Sequence, residues 1–126
     1  MAKKKILVID DEEALTRLVK LNLEATGNYE VMTENRGSQA LAAVKAFKPD
    51  LVLLDILMPD MDGSDVAGQI MADKDVSDTP IVFLTAMIRK EETKASCGVI
   101  GGHPFIAKSV SIKELISCVE IGRAHV

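Results

Sequence analysis

Four short apolar runs, each halted by a charged or hydroxyl residue, limit what this chain can fold into. Ile6-Leu7-Val8-Ile9 stops at Asp10-Asp11, Leu51-Val52-Leu53-Leu54 at Asp55, Ile81-Val82-Phe83-Leu84 at Thr85, and the weaker Phe105-Ile106-Ala107 at Lys108. Apolar runs without polar alternation read as strands buried on both faces, the mark of a parallel sheet covered by helices. Between the runs the apolar spacing changes to a helical period. Strands are expected at residues 5–9, 29–33, 51–54, 81–84 and 105–107, and helices at 12–26, 38–47, 64–72, 89–97 and from 111 onward. The inward faces are Leu15, Leu18, Val19 and Leu23 in the first helix and Ala40, Leu41, Val44 and Phe47 in the second. Val66, Ala67, Ile70 and Met71 follow in the third, and Ile112, Leu115, Ile116 and Val119 in the last. Gly27-Asn28 ends the first helix and Lys48-Pro49 the second.

Strands alternating with helices, joined by right-handed crossovers, give an α/β doubly wound fold. The expected form is a five-stranded parallel sheet of order 2-1-3-4-5 with five helices, a flavodoxin-like arrangement. Glu30 and Glu34 flank a weak alternation in the second strand, as suits an edge. In such sheets ligands bind outside the carboxyl ends of the strands, where the strand order reverses. That point lies between the first and third strands, so Asp10, Asp11 and Asp55 converge on it.

The chain has 126 residues, 48% of them hydrophobic, enough for one compact core. The net charge of -4, with no basic block beyond Lys3-Lys4-Lys5, argues against a nucleic-acid surface. No apolar stretch approaches the roughly 20 residues that span a bilayer. The start has no signal-peptide core, so a cytoplasmic location is expected. Cys97 and Cys118 show no metal-binding spacing and read as two reduced thiols. Residues 1–120 form the expected domain. The tail, residues 121–126, breaks the helical pattern at Gly122 and reads like a translated sequencing adaptor, or else a frayed native end; it is set aside from functional reasoning.

Each polar residue at a strand end has an ordinary explanation. Asp10-Asp11-Glu12-Glu13 suits the acidic first turn of a helix. Asp62-Gly63 suits a turn, and Lys108 an exposed surface. Asp55 is harder to explain, since no counter-charge stands near it in sequence. Carboxylates about 4–5 Å apart repel by a few kcal/mol at an effective dielectric near 20, so a cation is expected among them. Oxygen ligands without His or Cys point to Mg²⁺. A hydroxyl at Thr85 and an ammonium at Lys108 suit phosphoryl oxygens, and a carboxylate nucleophile would yield an acyl phosphate.

With these residues in place, the chain resembles the receiver domains of two-component response regulators, and within them the single-domain chemotaxis regulators. The likeness covers residues 4 to 120. It rests on Asp10-Asp11, on Asp55-x-x-Met58-Pro59-x-x-Asp62-Gly63, on Thr85-Ala86 and on Lys108. The resemblance implies a switch that takes a phosphoryl group onto Asp55 from a sensor histidine kinase or phosphotransfer protein. It implies Mg²⁺ held by Asp11, Asp55 and the Leu57 carbonyl, with Asp10 through water, and phosphoryl oxygens bound by Thr85 and Lys108. Phe105 falls on the family's aromatic switch position. The face made by the fourth helix, fifth strand and fifth helix would bind a downstream protein target or a second copy after phosphorylation. Such a protein is a regulator that catalyses its own phosphorylation, not a classical enzyme. A chain ending with the fifth helix suggests a stand-alone regulator, whereas an adaptor-derived tail would leave room for a DNA-binding or enzymatic output domain after Glu120.

Two departures stand out. Ser109 follows Lys108 where the family carries proline after a cis peptide, and a non-proline cis bond costs about 2.5–4 kcal/mol. His103-Pro104 precedes the switch aromatic, and Pro104 predicts a short edge strand. Leu57 and Met87 occupy the two positions that govern acyl-phosphate hydrolysis in the family, and neither can orient water. Other functions fit less well. Haloacid-dehalogenase phosphatases need a second Asp at position 57. A nucleotide or flavin site needs a glycine-rich loop after the first strand, where this chain has four acids. A degenerate receiver that only docks partners would not need the full Asp, Thr and Lys set.

Overall fold

The computed structural model describes residues 3–85, 97–100, 103–107 and 112–124. Along the chain run β1 (Lys4–Ile9), α1 (Glu13–Ala25), β2 (Tyr29–Glu34), a 3-10 turn (Gly37–Gln39), α2 (Ala40–Phe47), β3 (Leu51–Asp55) and α3 (Gly63–Ala72). β4 (Ile81–Thr85), β5 (Cys97–Ile100), β6 (His103–Ala107) and α4 (Ile112–Ala124) complete the described elements.

The strands form one sheet in the order β2-β1-β3-β4-β6-β5. β2, β1, β3, β4 and β6 are mutually parallel, so the expected 2-1-3-4-5 parallel sheet is present, with β6 as its fifth strand. β5 is an addition: it pairs antiparallel with β6, with Cys97 opposite Ile106 and Ile100 opposite His103. Cys97 was expected to end the fourth helix and instead begins this strand; residues 89–96 of that helix lie outside the described residues. Val99-Ile100 before Gly101-Gly102 carries hairpin composition, in a stretch where the sequence alone predicts no element. β6 is therefore an interior strand and not the edge that Pro104 suggested. Its ladder with β4 begins at Phe105, so Pro104 is not asked for a donor there.

Strand alternation divides the core into two layers. Ile6, Val8, Leu51, Leu53, Val82, Leu84 and Ile106 pack with Val19 and Leu23 of α1 and Leu115, Cys118 and Val119 of α4. Leu7, Ile9, Val52 and Leu54 pack on the opposite face with Ala40 and Val44 of α2 and Val66, Ala67 and Ile70 of α3. Fully burying each such aliphatic side chain contributes about 1.5–3 kcal/mol. Leu18 (47% exposed) and Met71 (61% exposed) were expected inside and lie outside. In α1 the inward place is taken by Thr16, whose hydroxyl donates to the Glu13 carbonyl at 3.0 Å and so can be buried.

Helix ends follow the sequence signals. Gly27 takes φ 82°, and its N–H donates to Glu24 O at 3.0 Å, closing α1. Lys48 takes φ 51° and its N–H donates to Val44 O at 2.8 Å, closing α2 before Pro49. α4 continues through Gly122 to Ala124, past the residue expected to break it. Cys118 is disulfide-bonded, which corrects the expectation of two reduced thiols; Cys97 is the sequence's other cysteine. Among the described residues, no helix is long and apolar enough to cross a membrane.

Candidate acidic site at the strand ends

The last paired rung between β1 and β3 is Ile9 with Leu54. Parallel register then places Asp10 and Asp55 side by side at the carboxyl edge. The Asp10 N–H donates to Glu34 O at 3.1 Å and the Ile56 N–H to Leu84 O at 3.2 Å, so both loops leave the sheet with their backbones engaged. Asp10 is fully buried and Asp55 is 3% exposed. Asp11 completes the group: one carboxylate oxygen from each of Asp10, Asp11 and Asp55 lies within 4.8 Å of the others.

Two like charges at that separation repel by roughly 3–4 kcal/mol at an effective dielectric of about 20. One oxygen of Asp10 is occupied, accepting the Glu12 N–H at 3.0 Å. The other oxygen, Oδ2, is buried without a hydrogen bond, as is Oδ2 of Asp55, while both residues keep other interactions. Buried carboxylates gathered this closely are expensive unless a cation offsets their charge. The donors are all oxygen, which suits a hard divalent ion. The three residues fit a metal.

Leu57 stands beside the cluster with its side chain 58% exposed. The segment that carries it is tightly closed. The Gly63 N–H donates to Ile56 O at 2.7 Å. A Cβ on Gly63 would collide with the Asp55 carbonyl oxygen and stand 2.9 Å from Ile56 Cα, so only glycine fits. Thr85 ends β4, its backbone opposite Ala107 at the end of β6. Lys108 is the next residue and lies outside the described residues, as do Met87 and Ser109. Phe105, the residue the resemblance singles out as a switch aromatic, is buried at 5% exposure.

Two residues not singled out from sequence border the site. Asn35 donates from Nδ2 to the Asp10 carbonyl at 2.8 Å and to Thr16 Oγ1 at 3.1 Å. Asp60 accepts the N–H groups of Gly37 at 3.2 Å and Ser38 at 3.0 Å. These bonds, that of Ser38 foremost, hold the Asp60 carboxyl below the usual carboxylate range. Asp60 lies inside the acidic segment after β3, but a carboxylate's capping partner across 22 residues leaves no mark in the sequence.

An open parallel sheet with buried carboxylates at its switch point places the chain among the doubly wound α/β domains, whose ligands bind in that crevice. Comparison with known proteins narrows the class. The family model described as the response regulator receiver domain matches residues 6–120, and the chain belongs to that family. It is 39% identical over 113 residues to the alkaline phosphatase synthesis transcriptional regulatory protein PhoP of Bacillus subtilis, covering 89% of this chain and 45% of that protein. It is 36% identical over 118 residues to the DNA-binding response regulator MtrA of Mycolicibacterium smegmatis, covering 93% of this chain and 49% of that one. The chain thus spans about half the length of the curated relatives it matches. Among solved structures, the chemotaxis protein CheY4 of Vibrio cholerae superposes with a TM-score of 0.79 at 27% identity, covering 95% of this chain and 98% of that one. The N-terminal domain of a response regulator receiver protein from Methanoculleus marisnigri superposes with a TM-score of 0.71 at 32% identity, covering 95% and 96%.

Proposed function

We propose that this receiver domain is a phosphorylation-activated switch whose acceptor is Asp55. The observation that carries the reading is the convergence of Asp10, Asp11 and Asp55 at the carboxyl edge of the sheet, one carboxylate oxygen of each lying within 4.8 Å of the others. Asp10, Asp11, Asp55 and the Leu57 carbonyl would hold Mg²⁺. When bound, that ion would offset negative charge on the incoming phosphoryl group.

The chain's own residues then do the following. An Asp55 carboxylate oxygen attacks phosphorus. The phosphorus–nitrogen bond of a phosphohistidine breaks, and its electron pair returns to the imidazole. The product is an aspartyl phosphate. Thr85, the last residue of β4, and Lys108, which follows β6 in sequence, supply a hydroxyl and an ammonium to the phosphoryl oxygens. Burial of Asp55 limits access of water to the acyl phosphate. The protein acts as a regulator and not as a classical enzyme. Its upstream partner is a sensor histidine kinase or a phosphotransfer protein, and its downstream partner is a protein that reads the face around β6 and α4. Work in the cytoplasm suits that pairing.

The test is intact mass after incubation with acetyl phosphate, with Mg²⁺ or with EDTA, on wild type and Asp55→Asn. One added phosphoryl group that requires both Mg²⁺ and Asp55 is the expected result. No gain, or a gain that survives loss of Asp55, would leave a domain that only docks partners.

A further inference from the structure

The segment after β2 touches both loops of the acidic site. On one side Asn35 Nδ2 holds the Asp10 carbonyl at 2.8 Å. Its second bond, to Thr16 Oγ1 at 3.1 Å, fixes the amide against α1. On the other side, two residues along, the N–H groups of Gly37 and Ser38 grip the two carboxylate oxygens of Asp60. Packing reinforces the second contact. A Cβ on Gly37 would stand 3.0 Å from Met61 Cβ, 3.1 Å from Met61 O and 3.3 Å from Met58 Cε. Met58 is itself buried in the core layer beneath α2 and α3. Residues 35–38 are therefore a strap. One end holds the loop of Asp10 and Asp11, and the other holds the loop that runs from Asp55 through Leu57 to Asp60.

We propose that Asn35 and Asp60 are positioning residues of the cation site. They hold the two acid-bearing loops at their binding separation before the cation arrives. The inference rests on the reading of the acidic cluster as a divalent-cation site. Its physical basis is the repulsion between Asp10, Asp11 and Asp55, which favours spreading of the two loops when no cation is bound. Without the strap, part of the binding free energy would go into drawing the loops back together. Groups that orient metal ligands through hydrogen bonds typically change metal affinity by about 10–100-fold when removed.

Asp60 also sits where a helix cap would, over the first N–H groups of the turn that leads into α2. A cap alone would alter stability and leave cation affinity unchanged, and the experiment separates the two roles. Mg²⁺ affinity is measured by calorimetry on unphosphorylated wild type, Asn35→Ala, Asp60→Ala and the volume-matched Asp60→Asn. Asp73→Asn, which breaks the 3.0 Å ion pair with Lys45 away from the site, is the control for general destabilisation. Urea unfolding confirms that each variant is folded. Amide exchange at Gly37 and Ser38 in the absence of metal reports the strap itself. The expected result is roughly tenfold weaker Mg²⁺ binding in the Asn35 and Asp60 variants, faster exchange at Gly37 and Ser38 in the Asp60 variants, and unchanged affinity in Asp73→Asn. Folded Asn35 and Asp60 variants that bind Mg²⁺ within twofold of wild type would overturn the strap, as would equal weakening in Asp73→Asn. A wild type that binds no Mg²⁺ would overturn the cation site beneath it.

Discussion

Asp10 and Asp55 are neighbours across two parallel strands, one step past the rung that pairs Ile9 with Leu54, and both are buried. A sheet of aliphatic strands has thus brought two carboxylates together in a place with little water. Their closeness is set by the register of β1 on β3, which Leu7, Val8, Leu53 and their neighbours enforce through two packed core layers. Core and site are in this sense one construction.

Removing one of these charges should have opposite effects with and without metal. Asp10→Asn relieves repulsion and is expected to raise the unfolding midpoint in EDTA. The same change should weaken Mg²⁺ binding, so the extra stability that Mg²⁺ lends shrinks. For wild type that extra amounts to about 2.7 kcal/mol at a free concentration 100 times the dissociation constant. Thermal unfolding with EDTA and with saturating Mg²⁺ measures both effects. A stabilising effect of Mg²⁺ equal in the two proteins would contradict the assignment of Asp10.

The lifetime of the phosphorylated form should depend on Leu57. Its side chain is 58% exposed next to Asp55 and has no group that can orient a water molecule. Leu57→Asn supplies one, and Met87→Glu does the same at the second position expected from sequence. Both variants are expected to lose the phosphoryl group several-fold faster than wild type, followed by intact mass after removal of acetyl phosphate. Unchanged decay in both would refute the role given to these positions.

Gly63→Ala is expected to destabilise the fold. The added Cβ meets the backbone of Asp55 and Ile56, which cannot move aside as a flexible side chain would. Overpacking of this kind costs about 1–3 kcal/mol. Urea unfolding of the variant should show that loss, with phosphorylation by acetyl phosphate slowed as well. Gly68→Ala, where a Cβ meets nothing within 4 Å, should be neutral or mildly stabilising.

The ion pair between Lys45 of α2 and Asp73 after α3 sets a pH signature. Hydrogen bonding to Lys45 holds the Asp73 carboxyl below the usual range, and the same bond raises the Lys45 ammonium. A lowered carboxyl contributes stability above its ordinary titration range and loses it as acid brings the pH through the lowered value. A raised ammonium contributes below the ordinary lysine range and loses it as the pH climbs through the raised value. Lys45 is exposed and Asp73 partly so, which keeps the effect small. The difference in unfolding midpoint between wild type and Asp73→Asn should be flat at neutral pH and fade at both extremes. A difference that persists undiminished into strong acid would show that Asp73 acts otherwise.

Much of this protein could be read from its sequence because the buried strands carry uninterrupted Leu, Ile and Val. β1, β3 and β4 were found within a residue of their expected bounds, and their ends located Asp10, Asp11 and Asp55. Short-range signals, such as Gly27 and Lys48-Pro49, also placed the helix ends. What escaped depends on contacts between distant residues. Leu18 and Met71 fit a helical apolar spacing, yet both lie on the exposed side of their helices. Of β5, only Cys97 falls within an expected helix and residues 98–100 fall in no expected element, since Cys97-Gly98-Val99-Ile100 has no alternation of its own and becomes a strand by pairing with β6. Asn35 and Asp60 look like ordinary loop residues until the fold brings them against Asp10 and against Gly37 and Ser38.

The closed turn at Gly63 also bears on how such a site can diverge. Leu57 is exposed, and many side chains can stand there. Position 63 offers no graded alternatives, because the smallest step away from glycine already places an atom against the acceptor's own carbonyl. Variation across descendants of this chain should therefore collect at the first position and be purged at the second. The side chain beside Asp55 is open to drift and selection, while the turn that presents Asp55 is passed on intact.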